Sequence, residues 1–101
     1  VKYIVYGLSS VITSDDVAHA LIHYAAVLAQ ASASDVVEVP TADLNGASTR
    51  TSVLLGPGVP ILVEDAPDDE LEQPQPDFVA DMTARTRELI VDRHRQRSRH
   101  D

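Results

Sequence analysis

The chain contains no cysteine, no tryptophan, one methionine, three tyrosines and one phenylalanine in 101 residues. Without cysteine, disulfides, thiolate metal ligands and cysteine nucleophiles are excluded. With Tyr3, Tyr6, Tyr24 and Phe78 as the only rings, the core must be built from Val, Ala, Leu and Ile, which bury less area per residue. A chain of this length forms one domain and buries roughly 60–70% of its unfolded surface. A core that modest gains from burial against another chain. Long apolar runs are also missing. The longest mostly apolar stretch, Val53–Val63, has 11 residues and is broken by Gly56, Pro57, Gly58 and Pro60, whereas a bilayer span takes about 20. No basic and apolar leader opens the sequence. We therefore expect no membrane partner and a cytoplasmic location.

Positive charge is scarce over most of the length. Val1–Ala84 carries 13 acids against Lys2 and Arg50, while Arg85–Asp101 carries 6 arginines against Glu88, Asp92 and Asp101. The formal charges of −11 and +3 make up the total of −8. An acidic body and a basic C-terminal segment attract within a Debye length, in one copy or between two.

Val1–Tyr6 is β-branched and aromatic, ends at Gly7 and reads as a strand, with Val11–Thr13 as a short return across the turn. From Ser14 to about Ala31 the period becomes helical, with Val17, Leu21, Tyr24, Ala25 and Leu28 on one stripe. Thr13 and Asp16 have the spacing of a capping box. Asp35–Val39 reads as a strand stopped by Pro40, which has no N–H for a ladder. Asn45-Gly46 predicts a hairpin into Arg50–Leu55. Gly56-Pro57-Gly58 predicts a second turn into Pro60–Glu64, so the middle of the chain reads as a three-stranded meander. Asp65–Pro76, with five acids and three prolines, reads as an extended, self-repelling linker. A last helix is expected from Asp77, with Phe78, Val79, Met82, Leu89 and Ile90 within about 120° of arc. The apolar pattern stops after Asp92, and a frayed basic tail is expected from His94 to Asp101.

Few residues stand in patterns that carry chemistry. Asp16, His19 and His23 fall within about 60° of one another on the first helix. Two imidazoles a turn apart with a carboxylate suit zinc or non-haem iron, although no distant ligand completes the set. The plainer reading is a solvated helix face. Ser9 and Ser10 after Gly7 lack the surroundings of a nucleophile elbow. Gly56-Pro57-Gly58 lacks the lysine and the following helix of a phosphate loop. Asp68-Asp69-Glu70 with Glu72 lacks the alternation of a calcium loop. Arg93, Arg95, Arg97 and Arg99 offer phosphate contacts, but no aromatic is interleaved and the acidic body repels a polyanion, so nucleic acid is not expected as a partner.

The sequence thus predicts an α+β fold. A three- to four-stranded, mostly antiparallel sheet is packed by one amphipathic helix in a 1–64 core. An acidic Pro-rich linker (65–76), a C-terminal amphipathic helix (77–93) and a basic tail (94–101) follow. If the first strand lies beside Asp35–Val39, the helix crossover makes that pair parallel. The favoured function is a non-enzymatic interaction module, homodimeric through Phe78, Val79, Met82, Leu89 and Ile90, with a further protein partner left open and no cofactor. The alternative is a small metal-dependent or ligand-binding enzyme using Asp16, His19 and His23.

Overall fold

Among the described residues, β-branched and aromatic runs become strands at five places, where the sequence pattern predicts three or four. The computed structural model describes residues 1–7, 9–42, 47–66 and 73–100, with side chains described as far as Asp92. The elements in chain order are β1 (Lys2–Tyr6), β2 (Ser9–Thr13), α1 (Asp15–Gln30), β3 (Asp35–Ala42), β4 (Ser48–Leu55), β5 (Ile61–Asp65) and α2 (Pro76–His100). The fold is α+β, with one antiparallel sheet in the order β4-β3-β2-β1-β5.

Three strand expectations need correction. The short return after Gly7 is a full strand, and β2 lies between β1 and β3. The parallel pairing of β1 with β3 therefore does not occur. Second, β3 runs through Pro40 to Ala42, opposite β4 from Asp35↔Leu55 to Ala42↔Ser48. Pro40 is tolerated because β2 meets β3 at a single bridge, Ile12↔Ala42, so little ladder is lost on that flank. The Pro40 carbonyl instead accepts a hydrogen bond from Thr13 Oγ1 at 2.6 Å. Third, β5 does not return beside β4. It crosses to the far edge and pairs with β1 from Lys2↔Asp65 to Tyr6↔Ile61. The turn before it does form: Val59 N–H donates to Gly56 O at 3.3 Å, and Gly58 takes φ +78°. With Pro60 following, the chain leaves β4 instead of folding back on it. The hairpin turn at Asn45-Gly46 lies outside the described residues, as do residues 67–72 of the expected linker.

Alternation then sorts the side chains. Ile4, Val11, Val37, Val39, Val53, Leu55 and Val63 face α1, whose Val17, Ala18, Leu21, Tyr24 and Leu28 complete the core. The sheet is curled around this core. In a flat sheet β1 and β4 would lie about 14 Å apart, three strand spacings. Here the Tyr6 hydroxyl donates to Leu54 O on β4 at 2.9 Å.

α1 starts without the capping box. Its N-cap is Ser14, with no side-chain cap bond, and Thr13 is committed to Pro40. Ser14 Oγ donates to Asp16, and Asp16 accepts the Val17 N–H at 2.9 Å. The helix ends in a Schellman arrangement: Ala33 N–H donates to Leu28 O and Ser32 N–H to Ala29 O, with Ser32 at φ 52°. α2 packs on α1, placing Met82 in the core. It begins at Pro76, one residue before the expected start, where a proline fits the first turn. Its backbone stays helical to His100, past Asp92 where the apolar pattern ends.

Candidate functional site

The outer side of α1 carries the residues that the sequence marks for a metal, and the structure gives them different environments. His19 and His23 are exposed. Asp16 is spent on backbone and hydroxyl donors: Ser14 Oγ and Val17 N–H on Oδ1, and Gln75 N–H on Oδ2 at 2.7 Å. Burial would raise its pKa, but the hydrogen bonds from Ser14, Gln75 and Val17 outweigh it and hold the carboxyl below its ordinary value. Among the described residues, no three His, Asp or Glu side chains converge on a point where a metal ion would sit. Through the Gln75 N–H, Asp16 fixes the residue just ahead of α2 to the start of α1. Ser9 and Ser10 are exposed on β2, spaced as strand neighbours.

A second polar cluster joins three elements, and residue spacing gives no sign of it. Asp35, the first residue of β3, accepts the Tyr24 hydroxyl at 2.5 Å and Arg85 Nη1 at 3.0 Å, both on Oδ2. Its Oδ1 accepts the Val36 N–H at 2.8 Å. Arg85 also reaches Val36 O at 3.4 Å and forms a pair with Asp81 Oδ2 at 3.1 Å, one turn earlier on α2. Burial pushes the Tyr24 phenol up, and its bond to the carboxylate adds to this, bringing it to about 12. For Asp35, burial acts upward but loses to the Tyr24 hydroxyl and the Arg85 guanidinium, so the carboxyl is held down. Arg85 is partly desolvated, yet Asp81 and Asp35 hold its proton more firmly than usual. Two acceptor-only carboxylates, one permanent cation and a phenol kept neutral make a structural tie, with no group poised to exchange a proton near neutrality. The signals that pointed to it were present but separate: a tyrosine with a polar tip in an apolar stripe, and the first arginine of the basic segment.

The five α2 residues expected at an intermolecular surface divide along the helix. Met82 is 2% exposed within the core, and Phe78 and Leu89 pack against that core, with Val79 half-buried. Ile90 is 47% exposed, as is its neighbour Val91. Among the described residues, the other exposed large apolar side chains are Val36 (59%), Leu54 (48%) and Leu62 (52%), all on strands. Among the described residues, clefts open on both sides of α1. One of about 270 Å³ lies between Ala25, Ala26 and Ala29 and the Pro57–Val59 turn. The other, of about 240 Å³, lies between His23 and Ala20 on α1 and Met82, Thr83 and Arg87 on α2. In the second cleft the threonine hydroxyls are turned to their own helix, Thr83 to Val79 O and Thr86 to Met82 O.

No helix among the described residues is long and apolar enough to cross a membrane. Comparison with family models, with curated proteins and with solved structures finds no match to this chain.

Proposed function

We propose that this chain is a non-enzymatic interaction module that assembles as a homodimer through α2. The observation that supports this reading is how α2 is divided. Among the described side chains, those that hold it to the body are Phe78, Met82, Arg85 through Asp35, Thr86 and Leu89, with the Gln75 N–H on Asp16 just ahead of the helix. At Ile90 and Val91 two large apolar side chains face water, and about 15 Å of helix follows to His100 at 1.5 Å per residue. A helix end with apolar surface and opposite charge to the body is suited to a second copy. Sedimentation velocity at micromolar concentration tests it. The wild type sediments as a dimer, and Ile90→Glu with Val91→Glu halves the mass without changing far-UV circular dichroism. A monomeric wild type overturns the proposal.

A further inference from the structure

The cleft between α1 and α2 brings apolar surface together with two basic side chains. Ala20 and the buried Met82 supply the apolar surface, and the exposed His23 and Arg87 line the same cleft. Its two threonines donate their hydroxyl protons to Val79 O and Met82 O. Among the lining side chains, His23 and Arg87 are therefore the donors left to a ligand, and none of the lining residues is an acid. Arg87 also stands apart in its ion pairing. Lys2 is paired with Asp65, Arg50 with Glu38 at 3.6 Å and Arg85 with Asp35 at 3.0 Å. Arg87 has no such partner among the described residues, in a chain with 16 acids against 8 lysines and arginines. Its helical neighbours at three and four positions are Thr83, Ala84, Ile90 and Val91, all uncharged. His23 likewise has no acid at those spacings. Asp16, one turn before Ala20, is occupied by Ser14, Val17 and Gln75.

We propose that this cleft binds a small organic acid, its single carboxylate held by Arg87 and His23 and its apolar body laid against Ala20 and Met82. Charge selects the ligand. A guanidinium presents its N–H groups as a fork that meets both oxygens of a carboxylate. An imidazole has at least one N–H to donate, whether neutral or charged. A cation would meet Arg87 with nothing to offset it. A polyanion would meet the rest of the body, where 13 acids stand against 2 bases ahead of Arg85. One negative charge is the number that satisfies both. Size then sets the body of the ligand. At about 240 Å³ the cleft is smaller than the roughly 300–1,000 Å³ of drug-sized sites, so a single ring or a short chain fills it. Met82 favours a ring, because a thioether makes attractive contacts at an aromatic edge. All the lining residues belong to one chain, so the site needs no second copy to complete it.

Phenylacetate is a suitable probe, with phenylacetamide as its uncharged counterpart of the same shape. Titrated into the full chain and followed by methyl NMR, phenylacetate should give saturable shifts at Ala20, Met82 and Thr83. Phenylacetamide should bind roughly 10-fold more weakly or worse, because hydrogen bonds to charged groups are the stronger ones. Arg87→Gln should cost phenylacetate a similar factor, and His23→Gln a smaller one. Both residues are exposed, so both variants should keep the wild-type circular dichroism. Arg50→Gln removes the same charge from the sheet and should leave the affinity as it was. Equal binding of phenylacetate and phenylacetamide overturns the proposal. So does an Arg87→Gln variant that binds as well as Arg50→Gln, or the lack of any saturable shift at the cleft. These readouts are per chain, whereas sedimentation reports assembly through α2, so the two readings fail separately.

Discussion

Single residues show how little slack the core has. Leu21 is wholly buried on α1, and Gln30 on the same helix is exposed. Leu21→Ala should cost about 2–5 kcal/mol, as truncations in packed cores do, and Gln30→Ala less than about 0.5 kcal/mol. Equal shifts in the urea midpoint would show that the helix phase is wrong. Ser32 sits in the left-handed region after α1, where glycine pays no steric cost. Ser32→Gly should therefore stabilise the protein, by about 0.5–1 kcal/mol in the same melts. Gly56 is the opposite case, because a Cβ there would come within 2.6 Å of Ser34 Oγ. These residues also mark how far the sequence was legible. The apolar stripe of α1 could be read because its period is long and regular. Tyr24 fell in that stripe as a core residue, and nothing in the spacing announced that its hydroxyl would meet Asp35, eleven positions on.

Among the elements, α2 is held by polar contacts as much as by burial, and these have different sensitivities to salt. Among the described arginines of the basic segment, Arg85 engages the body through Asp35, with Asp81 of its own helix beside it, on groups about one-third to one-half exposed. Screening should weaken that tie while leaving Met82 buried. Arg85→Gln should increase hydrogen exchange over Phe78–Ile90 and blunt its response to added salt. Protection that ignores both salt and Arg85→Gln would leave packing as the sole restraint. The placing of strands was less legible than their existence. β5 was readable as a strand, but the choice between β4 and β1 as its neighbour depends on which edge is open after β2 has inserted. Local turn chemistry does not encode that. Pro40 misled for a related reason: a proline ends a strand only where both flanks are laddered, and β2 meets β3 at one bridge alone.

For the molecule as a whole, pH acts from both ends of the scale. Asp16 and Asp35 have lowered values in the folded state. Their stabilising effect is therefore complete above the ordinary aspartate range near 3.9 and is lost as pH falls through the folded values. Tyr24 has the opposite sign. Its contribution is complete below about 10, the ordinary tyrosine value, and is lost as pH rises through about 12. Urea midpoints measured from neutral to acid should fall less steeply in Asp16→Asn and Asp35→Asn than in the wild type. Tyr24→Phe should remove part of the alkaline loss. Identical acid slopes in all three proteins would mean that neither carboxylate is linked to folding. The position of β1 has a further consequence, during biosynthesis. This strand has a neighbour on each side in the finished sheet, yet its second neighbour, β5, starts at Ile61. At about 5–20 residues per second, Lys2–Tyr6 waits roughly 3–11 s after synthesis for the strand that covers its open edge. Through that interval the nascent chain presents Tyr3, Ile4 and Val5 beside an unpaired ladder, which is the form of surface that chaperones and stray strands recognise.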